Sequence, residues 1–355
     1  MNSGPELQMP SSEVRTDMET SSTYIIAEAG VNHNGNIDIA IELIHEASRC
    51  GADAVKFQTF KADEIVTMQA RKAPYQVNNT GGDESQYQML KQLELDFSQF
   101  QVLKEECEKS GIDFLSTPYN HCDVDILEEL NVHCYKIASA MAVEPDFLAY
   151  VAKTGKKIIL STGMCTMEEV SCAVHVIKQA TTAELVLLQC TTDYPSSNSE
   201  CNLRAMLTMQ NEFDVPIGYS DHTPDHTSAI VAVALGASVI EKHFTLDKTL
   251  PGPDHSASCN PAELSEYIDV IRETDVILGS EYKQPSSSEL KNRPMMRRGV
   301  VAKNDISAGT VLQSEHIAYK RPETELKAAE AVLIIGKTAK NDINKDMELK
   351  KEDFI

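Results

Sequence analysis

The chain has 355 residues, more than one small domain needs and typical of a barrel-sized domain with a small additional domain. It carries 32 Lys and Arg against 54 Asp and Glu, a formal net charge of −22. A charge this negative argues against nucleic acid or an anionic membrane surface as the main partner, so an anionic substrate must be attracted by local positive charge.

The N-terminal segment, residues 1–22, is polar and rich in Ser and Glu, with no apolar stretch of the kind found in signal peptides. It is predicted to be a disordered tail. No apolar run in the sequence approaches the ~20 residues that a membrane-spanning helix needs. The nine cysteines contain no C-x-x-C pair and lie mostly in apolar runs. Reduced thiols and a cytoplasmic location are therefore predicted.

From Thr23 onward, short apolar or β-branched runs alternate with longer helical patterns, which is typical of parallel β–α units. Eight runs are strand candidates, at residues 24–28, 54–58, 113–117, 134–138, 157–161, 185–189, 216–220 and 239–243. Eight alternations favour an α/β fold with a closed (β/α)8 TIM barrel over an open doubly wound sheet of five or six strands. The barrel is predicted over residues 23–279.

The longest insertion in this pattern is residues 61–96, which follow the second predicted strand and are rich in Asn, Gly and Gln. On a barrel, such an insertion is predicted to be an active-site loop or lid. Residues 280–296 follow the last barrel helix, are polar and contain a Pro-Ser-Ser-Ser run. They are predicted to be a linker.

The last segment, residues 297–355, contains a short internal repeat. AKNDI at 302–306 recurs at 339–343, and the match continues at equal spacing, with Gly309 opposite Asp346, Leu312 opposite Leu349 and Glu315 opposite Glu352. Two strand-turn-strand units are therefore predicted to pack together as one small β-rich domain.

Polar residues recur at the carboxyl ends of the predicted barrel strands, whose other residues are apolar. They are Glu28, Lys56, Gln58, Thr117, Lys136, Ser139, Ser161, His222 and His243. In a barrel these strand ends converge on one face, where catalytic groups are found. Any one of these residues is as easily a satisfied polar group at a strand end, but the shared location of so many favours a common site.

Two lysines, Lys56 and Lys136, are predicted to point into the barrel mouth with hydroxyl groups beside them. Two ammonium groups that face each other need an anion, and a phosphate with a carboxylate nearby satisfies that need. The alternative is that each lysine pairs with a carboxylate of the barrel, for which Glu28 is available.

His222 and His243 end the seventh and eighth predicted strands, which are neighbours in a barrel. Two imidazoles there can share a divalent cation and leave coordination positions for substrate oxygen and water. They lack the fixed short spacing of a metal motif, so a structural or proton-donating role stays open. Asp221 and Asp254 are candidates to ligate the cation or support its ligands. His33, just after the first strand, is a candidate for the mouth or for a turn.

With these residues in place, the sequence resembles the sialic acid synthase family from Tyr24 to Ile355. The motifs that carry the resemblance are IAEAGVNHNG at 26–35, KFQTF at 56–60, ESQ at 84–86, LSTP at 115–118, KIAS at 136–139, STGM at 161–164, GYSDHT at 218–223, EKHFT at 241–245 and GPDH at 252–255. The resemblance implies a barrel fused to an antifreeze-like (β-clip, or SAF) domain at residues 297–355. It also implies a domain-swapped homodimer.

The family's reaction joins phosphoenolpyruvate to N-acetylmannosamine and gives N-acetylneuraminate and phosphate. By matching motif, the resemblance implies that His222 and His243 hold Mn²⁺ or Mg²⁺ and that Glu28 stabilises a cation or manages protons. It assigns phosphoenolpyruvate to Lys56, Thr117, Lys136, Ser139 and Ser161. It assigns the sugar to Gln58, Tyr194, Asp254 and, from the partner subunit, Arg321.

The sequence departs from the family pattern at two places. Met141 stands where the family has Asp or Glu, and a thioether is only a weak acceptor. Such a loss is expected to lower the rate by about 10²–10³, unless Glu144 compensates. A binding or scaffold homologue with impaired catalysis is therefore an alternative. After Arg321, residues 322–325 replace a Gly-containing loop, which leaves the reach of that arginine open.

Two alternative substrates also stay open. The same motifs serve a synthase of the N,N'-diacetyllegionaminate type. A variant that uses a sugar 6-phosphate would need basic residues in the 61–96 insertion, where Lys61, Arg71 and Lys72 are found.

Overall fold

The computed structural model describes residues 22–81 and 84–355, with a first compact unit that ends at Gly279 and a second that begins at Ser280. Residues 1–21 of the predicted tail lie outside the described residues. All nine cysteines fall within the described part, and each is a free thiol. In the described part, no helix is long and apolar enough to cross a bilayer.

The sheet of the first unit has eight parallel strands. They are β1 (Tyr24–Gly30), β2 (Ala54–Thr59), β3 (Asp113–Pro118), β4 (Cys134–Ile137), β5 (Lys157–Ser161), β6 (Leu185–Cys190), β7 (Ile217–Asp221) and β8 (Val239–His243). They pair in the order β3-β2-β1-β8-β7-β6-β5-β4, and β3 lies beside β4. The sheet is therefore a nearly closed TIM-like barrel, which confirms the predicted fold class.

Helices follow the strands and cover the barrel. They are α1 (Ile37–Arg49), α2 (Ala62–Ile65), α3 (Pro74–Thr80), α4 (Gln86–Lys91), α5 (Phe97–Ser110), α6 (His121–Glu129), α7 (Pro145–Ala152), α8 (Met167–Ala180), α9 (Arg204–Phe213), α10 (Thr227–Ala234) and α11 (Pro261–Leu278). Local sequence explains their starts: Asn36 caps α1, and Asn260 with Glu263 forms a capping box at α11. The predicted 61–96 insertion contributes α2, α3 and α4.

The alternation of side chains along the strands divides the barrel interior into two layers. The deeper layer is apolar and consists of Ile26, Ala54, Leu115, Cys134, Ile159, Val186, Leu188 and Val239. Two residues further along the strands, on the same side of the pleat, lie the buried side chains of Glu28, Lys56, Thr117, Lys136, Ser161, Cys190 and Glu241. The apolar layer thus forms the floor beneath a ring of buried polar groups.

The second unit contains α12 (Ser287–Met296), β9 (Gly299–Ala302) and β10 (Ile317–Lys320). The helix α12 lies within the predicted linker. β9 and β10 form a two-stranded antiparallel sheet, so the predicted small β domain is confirmed as a fold. Three short 3-10 turns accompany them, at Ser314–His316, Ala328–Leu333 and Lys351–Asp353.

The two copies of the repeat are related in the structure as well as in sequence. Oδ1 of Asp305 accepts a hydrogen bond from the Lys345 amide at 2.8 Å, and Oδ1 of Asp342 accepts one from the Ala308 amide at 2.7 Å. Among the described residues, the second copy has no strand pair of its own, in contrast to the prediction. Its backbone instead pairs with the first copy, through bridges such as Ile306–Ile343.

Candidate active site

A cavity of about 420 Å³ lies at the carboxyl ends of the barrel strands. Eleven of the predicted site residues of the first unit line it, namely Glu28, Lys56, Gln58, Thr117, Lys136, Ser139, Ser161, Tyr194, His222, His243 and Asp254. Arg321 belongs to the second unit, where it is exposed and its Nε donates to the Met296 carbonyl at 2.9 Å. Its contact with a partner's substrate stays a prediction.

Each buried lysine of the cavity has one hydroxyl and one carboxylate neighbour. Nζ of Lys56 donates to Oγ1 of Thr117 at 2.9 Å and lies 2.5 Å from Oε2 of Glu28. This is the carboxylate pairing that the sequence left open as the alternative for Lys56.

The second lysine repeats the arrangement two strands away, on β4. Nζ of Lys136 donates to Oγ of Ser161 at 2.8 Å and lies 3.4 Å from Oε1 of Glu241. Burial lowers the pKa of Lys136, as does the nearby positive charge of Lys56.

Glu28 and Glu241 are both buried, but the pKa values of their carboxyl groups shift in opposite directions. Burial raises the pKa of Glu28, despite the ammonium group of Lys56. For Glu241, burial acts in the same direction, but Lys136 and Lys56 outweigh it and lower the pKa. Of these two carboxyls, Glu28 is therefore the one that can more readily carry a proton.

The loops that follow β4, β5 and β6 approach one another closely and form the cavity wall beside Lys136. The Gly163 amide donates to Oγ of Ser139 at 2.8 Å. A Cβ atom at Gly163 would lie 2.4 Å from Oγ1 of Thr192, so only glycine fits there. Ser139 begins the 3-10 turn Ser139–Val143, which also carries Met141 to the cavity.

The two histidines lie side by side, with ring centroids 5.3 Å apart. Nδ1 of His222 is 2.7 Å from the Thr191 carbonyl, so this nitrogen carries a hydrogen, and the lone pair of the neutral ring then lies on Nε2. Nδ1 of His243 is buried without a hydrogen-bond partner among the described residues. Burial and the adjacent His222 lower the pKa of His243 well below its usual range, which keeps its imidazole neutral.

This donor set fits a divalent cation with two protein ligands. A neutral imidazole with an unpartnered nitrogen beside a second imidazole with a free lone pair is an arrangement that a cation would satisfy. No group of three or more His, Cys, Asp or Glu side chains with metal-binding geometry occurs in residues 22–81 and 84–355. A cation here would therefore take its remaining ligands from substrate and water.

An aromatic wall closes the cavity next to the histidines. The ring of Tyr194 lies 4.2 Å from that of His222 and 5.0 Å from that of Tyr75, between centroids. Tyr75 belongs to α3, and Nδ2 of Asn79 on the same helix donates to the Pro253 carbonyl at 2.6 Å. The insertion therefore reaches the loops that follow β6 and β8. Burial, and next the charge of Glu28, raises the pKa of Asp254 to about 7.

Two of the candidate residues do not lie in this cavity. Asp221 faces the outer side of the barrel, where it pairs with Lys242, because it alternates with the inward-facing residues of β7. His33 is fully buried, and its Nδ1 accepts a hydrogen bond from the Gly35 amide at 3.0 Å. Of the two places that the sequence left open for His33, the barrel mouth and a turn, the structure shows the turn.

Several cavity residues were missed in the sequence prediction, the most important of which is Glu241. It stands two residues before His243 on β8, so strand alternation alone places it on the same inward face. Cys190 likewise ends β6 and lies 4.0 Å from Nδ1 of His222, between sulfur and nitrogen. Tyr75 and Gln76 come from the insertion, whose fold carried no periodic signal.

The position that departs from the family pattern is part of the cavity. Met141 is 3% exposed and lines it. Glu144, three residues later, is exposed and also lines it. A carboxylate is therefore present close in sequence to the thioether.

Comparison with known proteins shows which family the chain belongs to. The NeuB family profile matches residues 43–283, and the SAF domain profile matches residues 297–355. The chain is 44% identical to an N,N'-diacetyllegionaminic acid synthase of Campylobacter jejuni, over 91% of this chain and 98% of that protein. The chain belongs to the NeuB family. It therefore belongs among the sialic-acid-type synthases, and its C-terminal segment is a SAF domain.

Other NeuB-type relatives have different named products. The human N-acetylneuraminate-9-phosphate synthase is 34% identical over 93% of this chain and 92% of its own. A crystal structure of the N-acetylneuraminic acid synthetase of Leptospira borgpetersenii superposes with a TM-score of 0.68 at 33% identity, covering 77% of this chain and 90% of that one. These relatives share the family and differ in the sugar acid that they are named for.

Proposed function

We propose that this NeuB-family chain condenses phosphoenolpyruvate with the open-chain form of an N-acetylated amino sugar, to give a nine-carbon sugar acid and phosphate. The observation that carries the proposal is the convergence of two buried lysine–hydroxyl pairs and two imidazoles on one cavity at the carboxyl ends of the barrel strands.

Phosphoenolpyruvate is proposed to bind between the two lysines. An ammonium group has three hydrogens, and Lys56 donates one of them to Thr117 while it lies beside the Glu28 carboxylate. Lys136 has one short hydrogen bond, to Ser161, and longer contacts elsewhere. Both can therefore add a contact to an anion.

His222 and His243 are proposed to hold Mn²⁺ or Mg²⁺, and imidazole ligands favour Mn²⁺ because Mg²⁺ prefers oxygen. When bound, the cation would polarise the aldehyde oxygen of the sugar as a Lewis acid. Tyr194 and Asp254 line the wall beside the histidines and are proposed, with Gln58, to orient the sugar.

The proposed reaction forms one C–C bond and one C–O bond to water, and it breaks the C–O bond to phosphate. The enol carbon of phosphoenolpyruvate attacks the sugar aldehyde, and the adjacent carbon becomes cationic. Water adds to that carbon, the C–O bond to phosphate then breaks, and the ketone remains. Glu28 and Glu241, on the neighbouring strands β1 and β8, are proposed to stabilise the cationic carbon, and Glu28 to pass the proton released by the added water to the former aldehyde oxygen.

N-acetylmannosamine is the sugar predicted from the family motifs, and one observation favours a second candidate. Met141 offers an apolar surface where the family pattern has a carboxylate, which suits a methyl group better than a hydroxyl. A sugar with two N-acetyl groups supplies such a methyl, and the Campylobacter jejuni relative is named for a product of this kind. A sugar 6-phosphate is less well supported, because Lys72 is occupied by Thr80, Gly81 and Glu84.

The assembly is also a proposal. We propose the domain-swapped homodimer that the family resemblance implies, with Arg321 of the partner subunit directed at the sugar's N-acetyl group, and a cytoplasmic location supported by the free thiols. Light scattering should give the mass of two chains. Replacing Arg321 with Ala should raise the sugar KM without changing that for phosphoenolpyruvate.

A substrate panel with mass detection tests the function. The protein, Mn²⁺ and phosphoenolpyruvate are incubated separately with N-acetylmannosamine, its 6-phosphate and a diacetamido sugar, while phosphate release is followed. The proposal expects phosphate and a sugar acid in equal amounts for at least one sugar, and neither with a His222→Ala, His243→Ala double variant. Tight binding of both substrates without phosphate release would instead establish the scaffold alternative.

A further inference from the structure

A buried polar network lies on the outer face of β7 and β8, directly behind the two cavity histidines. Asp221 and Lys242 are register partners on these strands, and Nζ of Lys242 lies 3.1 Å from Oδ2 of Asp221. The hydroxyl of Tyr267, on α11, donates to the same oxygen at 2.8 Å. Asp221 is fully buried and the other two are 2% exposed. These groups take no part in the proposed chemistry, because they lie across the pleat from the cavity.

The network fixes the backbone on both sides of His222. Asp221 precedes this histidine, and the amide and the hydroxyl of Thr223, which follows it, both donate to Oδ1 of Asp221 at 2.8 Å. Lys242 donates to the Thr223 carbonyl and immediately precedes His243. One carboxylate and one ammonium therefore join the two strand ends that carry the imidazoles.

Stability alone is a weak explanation for such a network. A buried ion pair loses most of its Coulombic gain to desolvation, and well-packed apolar residues are often as stable or more so. The oxygens of Asp221 are nevertheless shared among Lys242, Tyr267 and Thr223, which restrains all three relative to one another. Such a restraint fixes the distances between β7, β8 and α11 at this point of the barrel.

We propose that Asp221, Lys242 and Tyr267 are positioning residues that set the spacing of His222 and His243 for a divalent cation. The proposal rests on the proposed function, since the cation site belongs to it. Groups that hold metal ligands in place typically change metal affinity about 10- to 100-fold when they are removed.

The experiment measures Mn²⁺ binding to the metal-free full-length protein by calorimetry. Lys242→Met removes the ammonium group with little change in length, and Tyr267→Phe removes one hydroxyl with little risk to folding. Mn²⁺ affinity should fall at least about tenfold for Lys242→Met and less for Tyr267→Phe. Phosphoenolpyruvate affinity, measured in the presence of a chelator, should stay within about twofold.

Asp275→Asn is the matched control. Asp275 lies on the same helix α11 and accepts a hydrogen bond from Oγ1 of Thr23 at 2.7 Å, at the opposite end of the barrel. A purely structural role for the network predicts that Tyr267→Phe and Asp275→Asn lower the melting temperature alike and leave Mn²⁺ affinity unchanged.

The outcomes separate the two proposals. Wild-type Mn²⁺ affinity in both network variants, together with loss of binding in His222→Ala, would overturn the positioning role and leave the cation site standing. If the unmodified chain fails to bind Mn²⁺, or binds it as well without His222 and His243, both proposals are overturned.

Discussion

Lys136 is buried between Glu241 and Ser161, so its replacement tests the anion site directly. Lys136→Met should lower kcat/KM for phosphoenolpyruvate by about 10² or more, because it removes a positive charge and leaves a carboxylate buried without its partner. Steady-state phosphate release measures the effect. Lys157→Met is the control, since that lysine pairs with Glu184 at the barrel surface; an equal loss in the control would mean that the site is misassigned.

His33 makes the stability of the fold depend on pH. Burial, together with the nearby His255, lowers the pKa of His33 to about 4, against about 6.5 in the unfolded chain. The unfolded state then binds more protons between these values, so stability is complete above pH 6.5 and falls as the pH drops towards 4. The loss from this residue is at most about 3 kcal/mol.

Urea unfolding at pH 7 and pH 5 measures this dependence. His33→Asn keeps an acceptor for the Gly35 amide but does not titrate, so its unfolding free energy should fall less between the two pH values than that of the unchanged chain. The exposed His133 provides the control for the substitution itself, because His133→Asn should leave the unfolding free energy at pH 7 nearly unchanged. If the unfolding free energy of His33→Asn depends on pH as strongly as that of the unchanged chain, His33 is not a source of the pH dependence.

Among the secondary-structure elements, α3 has its C-terminal end fixed by one buried lysine. Nζ of Lys72 donates to Thr80, Gly81 and Glu84, at the end of this helix, and its side chain is 1% exposed. Lys72→Met leaves the Gly81 carbonyl without its charged donor. Because Tyr75 and Gln76 of α3 line the cavity, the sugar KM should rise about fivefold to tenfold, as expected for the loss of about 1 kcal/mol.

Hydrogen exchange gives a second measurement of the same change. Amides of α3 should exchange faster in Lys72→Met, whereas those of β2 should be unaffected. Arg71→Met, at the exposed neighbouring position, should leave both the exchange and the KM unchanged. Faster exchange with an unaltered sugar KM would show that α3 does not contribute to sugar binding.

The elements also show what the sequence could and could not predict. The eight apolar runs were enough to predict the barrel, and the polar residues at their ends were enough to predict most of the polar layer above Ile26 and Ala54. Both could be predicted because burial on a closed sheet is a local property of each strand. The same alternation of side chains places Glu241 on the inward face beside His243, a position that the sequence prediction did not include. The path of α3 to Tyr194 was out of reach, since contacts between distant loops leave no periodic signal. The outward direction of Asp221 follows from the same alternation that brings Ser220 inward.

For the whole molecule, the repeat predicts that its two copies contribute equally to the stability of the second unit. Leu312 and Leu349 occupy equivalent positions, and both are fully buried in the same core. Replacing either with Ala should lower the free energy of unfolding of this unit by about 2–5 kcal/mol. Chemical denaturation of each variant tests this, with Met347→Ala, at a position 57% exposed, as control. A large effect from only one leucine would contradict the equivalence.

A crystal structure with Mn²⁺ and phosphoenolpyruvate would show whether the charged groups at the carboxyl ends of the barrel strands gather around these two ligands. We expect density for the cation on the nitrogens of His222 and His243, with the phosphate and carboxylate oxygens within hydrogen-bond distance of Lys56 and Lys136. Phosphoenolpyruvate bound away from both lysines, or a cation ligated by neither histidine, would contradict this expectation.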